Sequence, residues 1–164
     1  GAGVDTVLDA RFFGWTRDDA VALFERYGGG GVRDYLDMYT GGADIVFPFL
    51  YAAALISLLD VVWAAGWGSS WVLLLPTAAA GADLAENVCV MIMALAWLRG
   101  DVTLAEPVPA AAAYAAGLLF TPLKYFFLIT ALFFVGFALL RRAFGGEGDA
   151  APAPAPAVAR PKKE

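Results

Sequence analysis

Between residues 45 and 140 the chain is almost without charge: only Asp60, Asp83, Glu86, Arg99, Asp101, Glu106 and Lys124 interrupt it. Within that window lie three apolar runs, at 45–67, 71–98 and 108–140, of 23, 28 and 33 residues. A helix needs about 20 residues to cross the hydrocarbon of a bilayer, so each run is long enough, and the two longer ones have length to tilt or kink. Dividing the third would leave pieces too short to cross. The chain is 60% apolar, whereas soluble domains sit near 45–50%. These features predict an all-α integral membrane protein. Three transmembrane helices occupy 45–140, preceded by an amphipathic membrane-surface segment at 1–44 and followed by an extended Ala/Pro-rich tail at 141–164.

The flanks carry most of the charge, with eight of the sixteen acids in residues 1–44. In that segment, Thr16 with Asp19 three residues on reads as a capping box. Ala20, Val21, Phe24 and Tyr27 then recur at helical spacing, the glycines at 28–31 end the helix, and Val32, Tyr35, Leu36 and Tyr39 mark a second one. Aromatics beside an amphipathic segment next to a span suit the membrane interface. Pro76 and Pro122 are the expected kinks. A tight turn is expected at 66–70, with Trp63, Trp67 and Trp71 on one membrane face and Trp97 on the other, as in an aromatic belt. Arg141 and Arg142 stop the third span, which favours a tail on the cytoplasmic, stromal or matrix side.

Composition also excludes chemistry. The chain lacks histidine, and with it the commonest metal ligand and general base. Cys89 is the sole cysteine, so an intrachain disulfide and a thiolate cluster are ruled out, and in its apolar run it reads as a small hydrophobe. A net charge of −5 with few basic residues argues against nucleic acid. Four glycines without a following Gly-Lys-Ser/Thr do not make a phosphate loop. The expectation is a protein that is not an enzyme and holds no metal.

What the apolar runs do hold is a polar cluster. Asp83, Glu86 and Asn87 stand at i, i+3 and i+4, on one helix face, in the middle of the second run. Lys124 lies in the middle of the third, with Thr121 one turn before it. Counting back from the loop that joins these spans puts both sites at similar depth, so Lys124 is expected to meet Asp83 or Glu86. An unpaired charge at the bilayer centre costs roughly 2.5–3.5 kcal/mol on insertion scales, which favours the pairing, and two acids with one lysine leave one carboxylate over. Asp60 stands near the end of its span and is expected to reach the interface instead. One reading is a polar lock that fixes helix pairing; the other is a proton or ion relay or a ligand site. Glu86 and Asn87 are also candidate ligands for the magnesium of a chlorophyll. Small residues at 78–82 and 110–117 make smooth faces that suit close helix packing, or flat pigments such as chlorophyll and carotenoid, or lipid.

Four short motifs are shared with a group of functionally uncharacterised multi-spanning membrane proteins of bacteria and algae, which the chain resembles. They are Leu8-Asp9 with Phe13-Gly14-Trp15-Thr16; Asp44-Ile45-Val46-Phe47-Pro48 with Tyr51; Asp83-Leu84-Ala85-Glu86-Asn87; and Thr121-Pro122-Leu123-Lys124-Tyr125. The resemblance implies that the four motifs form one buried site, and that a further apolar span precedes the first motif in such proteins; it implies no activity. The Ala-, Gly-, Arg- and Asp-rich composition with its Ala-Pro tail also looks like that of accessory subunits of algal organellar supercomplexes.

Two functions are therefore carried forward. The first is a non-enzymatic accessory subunit that packs against membrane lipids and other membrane subunits. Its preferred host is a photosystem I–antenna supercomplex of the chloroplast thylakoid, with the mitochondrial inner membrane as the alternative location. The second is a small transporter or proton/ion-coupled protein acting through Asp83, Glu86 and Lys124.

Overall fold

A computed structural model describes residues 8, 11–63 and 70–144. Asp9, Trp67, most of the turn expected at 66–70 and the tail beyond Phe144 lie outside the described residues. Those described are all-helical: α1 Arg17–Thr40, α2 Ala43–Val62, a 3₁₀ turn Ser70–Leu73, α3 Leu74–Leu98, α4 Pro107–Ala115, a π turn Ala116–Phe120 and α5 Thr121–Phe144. Three stretches are long and apolar enough to cross a membrane: Ala43–Val62, Trp71–Leu98 and Pro107–Phe144.

The capping box at Thr16 forms as the sequence predicts. The Asp19 amide donates to the Thr16 hydroxyl, and the Thr16 amide donates to Asp19 Oδ2 at 2.8 Å. Asp19 Oδ1 takes an ion pair from Arg11 at 2.7 Å. Partial burial opposes ionisation of Asp19, but the Thr16 hydrogen bonds and the Arg11 guanidinium outweigh it and hold the carboxyl below its usual range.

The glycine run behaves differently from the expectation. One residue, Gly28 at φ 63° and ψ 178°, kinks α1, and the helix resumes at once through the remaining glycines. The apolar face of α1 is not laid open to lipid. Leu23, Phe24, Val32, Tyr35 and Tyr39 are buried in one cluster with Val90, Met93 and Ala94 of α3 and Ala112 and Ala113 of α4.

α3 is the central element. Its C-terminal half packs under α1 and α4, whereas its N-terminal end joins Leu59 of α2 and Ala131 and Val135 of α5 in a second cluster. Trp63 and Trp71 both set their rings edge-on to Phe134 at 5.4 Å, closing one end of the bundle. Trp97, at the far end of α3, packs on Phe24 of α1, so this ring is partly spent on the protein. Arg142, in the last turn of α5, donates to the Val61 carbonyl at 2.8 Å, satisfying an orphan carbonyl at the C-terminus of α2.

The prolines leave openings in the backbone ladder. Pro76 falls in the first turn of α3, where a missing N–H costs little. Pro48, inside α2, has no N–H for the carbonyl four residues back, Asp44. Pro122 follows the π turn, in which the Thr121 amide bonds Ala116; continuing that register, Pro122 offers no donor to Gly117. The Gly117 carbonyl instead accepts the Trp15 amide at 3.2 Å. Only glycine permits this approach, because a Cβ on Gly117 would stand 2.0 Å from the Trp15 carbonyl oxygen. Gly14, at φ 87°, turns the N-terminal arm onto the same spot.

Gly117→Ala should therefore destabilise the fold by about 1–3 kcal/mol, the range for overpacking, read as a lowered melting temperature in detergent. Gly136→Ala, where a Cβ would meet nothing within 4 Å, should leave the melting temperature unchanged or raise it. Equal effects at the two positions would contradict the docking of Trp15 on Gly117.

Candidate functional site: an ion triad beside a cavity

The residues predicted as a cluster do converge. Lys124 Nζ lies 2.6 Å from Glu86 Oε2 and 3.2 Å from Asp83 Oδ1, so the lysine meets both acids rather than one. All are buried: Glu86 and Thr121 are at 0% exposure, Asn87 at 4%, Lys124 at 6% and Asp83 at 9%. Asp60 is exposed and takes no part.

Each partner has its own origin in the fold. α3 supplies the two acids and Asn87 from one face, as the i, i+3, i+4 spacing requires. α5 supplies Lys124, and its first residue, Thr121, brings a hydroxyl 2.5 Å from Glu86 Oε1 and 2.9 Å from the Ala116 carbonyl. A hydroxyl has one proton to donate, so Thr121 stands between two acceptors, the carboxylate on α3 and the π-turn carbonyl. α2 closes the site from a third side. Tyr51 donates its hydroxyl to Asp83 Oδ2 at 3.1 Å, and Asn87 Nδ2 donates to the Asp44 carbonyl at 2.8 Å. That carbonyl is the one Pro48 leaves without a helical donor.

Beside the triad is a cavity of about 290 Å³. Its polar lining is Asp44, Tyr51, Asp83, Asn87 and Lys124; Phe47, Tyr125 and Leu128 make the apolar wall. The Lys124 ammonium also stands 5.4 Å from the centre of the Tyr125 ring, within cation–π range. Glu86 and Thr121 lie behind this wall and do not line the cavity. An apolar groove formed by Phe12, Phe13, Phe126 and Ile129 shares Tyr125 with it, and the Phe12 ring lies 4.7 Å from that of Tyr125.

Both candidate pigment ligands have partners within the protein. Glu86 has no exposed surface and is engaged by Lys124 and Thr121; Asn87 is turned to the α2 backbone. Among the described residues no group of three His, Cys, Asp or Glu side chains is placed to hold a metal ion.

The spacing of the charged residues alone did not bring Tyr51 and Asp44 into the cluster, whereas the motif resemblance grouped both with it. Both stand in a motif, Asp44 to Pro48 with Tyr51, whose signal was the four-residue spacing from Asp44 to Pro48 that frees a carbonyl. No family model, curated protein or solved structure matches the chain.

Thr121→Val removes the donor and leaves buried acceptors on both sides, which costs about 1–3 kcal/mol. Thr121→Ser keeps the hydroxyl and should recover most of that loss. Equal melting temperatures for the two variants would show that the hydroxyl bridge is not formed.

Proposed function

We propose that the chain is a small ion- or proton-coupled membrane transport protein whose solute enters the cavity between α2, α3 and α5. The observation that carries this reading is the placement of the Asp83–Lys124 pair. A charge cluster that served only as a lock between helices would be sealed by packing; this pair forms the wall of a cavity of about 290 Å³, with room for about ten water-sized molecules.

The depth of the site supports the same reading. α2 has 20 residues and so spans about 30 Å, one hydrocarbon thickness. Asp44 is in its first turn, and Tyr51 stands about two turns further in. With α2 as the ruler, the cluster lies in the half of the span nearer its start, on the side where α1 carries its exposed charges. α3 continues for eleven residues beyond Asn87, which meets Asp44 in the first turn of α2, and packs there against α1. A site at this depth has a short route to water. Ionisable groups inside a span are costly and mark solute and proton paths.

Purified protein in proteoliposomes with an entrapped pH-sensitive dye should show potential-driven proton uptake above that of protein-free vesicles. The combined variant Asp83→Leu, Glu86→Gln, Lys124→Met should remain folded and monodisperse, because it removes the three charges together and leaves none of them buried without its partner, and should lose the uptake. Flux in neither protein, or equal flux in both, contradicts the transport reading.

A second reading, the accessory subunit of a photosystem–antenna complex, draws on one feature. Phe126, Phe133, Phe137 and Leu140 form an exposed apolar row along α5, which suits partner helices or pigments as well as acyl chains. Co-migration with a large pigmented complex after mild-detergent extraction would favour it; a colourless band near monomer size would remove it.

A further inference from the structure

Resting on the transport reading, we propose that the cavity selects a small organic cation, an amine carrying an apolar body, over anions and neutral solutes. Two carboxylates, Asp83 at its wall and Glu86 behind it, stand against one cation, Lys124. Lys124 is already met by two carboxylates, so its charge is more than matched inside the protein. Tyr51 donates a hydrogen bond to Asp83 but brings no positive charge. The charge balance therefore leaves the cavity negative.

The remaining wall is made of rings. Phe47 and Tyr51 stand edge to face at 5.4 Å, and Tyr125 already accepts an ammonium at cation–π distance from Lys124. Ring faces attract cations, and pockets that hold quaternary amines use such walls. A bare metal ion would want several oxygen ligands at close range, and among the described residues no three His, Cys, Asp or Glu side chains are grouped to hold one. An anion would meet the carboxylates and have to break the Lys124 pairs to gain a partner. A cation with an apolar body gains the acids with its charge and the rings with its body.

Thiol labelling tests this on the full chain in lipid nanodiscs, where both membrane faces are accessible. Cys89→Ala removes the sole native thiol, and Leu128→Cys or Phe47→Cys places a new one on the cavity wall, the two positions guarding against a variant that fails to fold. The probes are a trimethylammonium-ethyl and a sulfonato-ethyl methanethiosulfonate, each rate divided by its rate with a free thiol in solution. The expected result is labelling in which the cationic probe is favoured by roughly tenfold or more, the scale on which a charged, low-dielectric cleft raises encounter rates. Benzyltrimethylammonium should slow that labelling saturably, and the preference should collapse in the Asp83→Leu, Glu86→Gln, Lys124→Met background. Labelling by both probes at equal normalised rates would overturn the cation inference while leaving an open cavity and the transport reading. Labelling by neither, in protein that labels once denatured, would overturn both.

Discussion

The pairing of Lys124 with Glu86 and Asp83 is the constraint on which the rest of the helical arrangement depends. An ammonium on one apolar helix and two carboxylates on another have few acceptable partners besides each other. Their meeting sets how far α5 slides along α3 and which faces touch. Once that register is set, Ala131 and Val135 of α5 fall against Val72 and Leu75 beside Leu59 of α2. Thr121 falls on Glu86, and the π turn is carried to the level of the N-terminal arm. Such a cluster is weak evidence for net stability, because removing charge from water offsets the attraction gained. Its effect is on specificity of pairing, and on leaving a charged wall beside a cavity.

Two prolines extend this order to the other helices by the same device. Each removes a backbone donor and so frees a carbonyl, and a buried carbonyl without a partner is unfavourable. Asn87 of α3 supplies the missing donor to Asp44, and Trp15 of the arm supplies it to Gly117. The gaps that proline opens in α2 and in the π turn thus become sockets for other parts of the chain. Both sockets adjoin the triad: Asn87 is one residue from Glu86, and Gly117 one turn before Thr121. The arm, α2, α3 and α5 therefore converge on a single polar site from four separate stretches of sequence. The cavity lies where α2 is held off by Tyr51 and the ring wall.

Much of this was legible in the residues. Run lengths gave three helices long enough to span, Thr16 with Asp19 gave the cap, and the spacing of Asp83, Glu86 and Asn87 gave a shared face opposite Lys124. What was not legible has physical reasons. An amphipathic pattern says which face of α1 is apolar but not what covers it, and here α3 and α4 cover it. Four glycines look like a terminator, yet only Gly28 adopts a left-handed φ. The roles of Asp44 and Gly117 depend on backbone atoms, which residue identity does not reveal until the proline offsets are considered together with the neighbouring helices.

The central claim is that Lys124 and Glu86 form a direct, buried interaction holding α3 to α5. A double-mutant cycle tests it most directly: the stabilities of the wild type, Lys124→Met, Glu86→Gln and the double variant, measured by reversible unfolding in lipid or mild detergent. The two substitutions should be far from additive, with a coupling of at least about 1 kcal/mol, as for contacting partners in one network. Additivity within about 0.3–0.5 kcal/mol, the behaviour of distant independent sites, would contradict it.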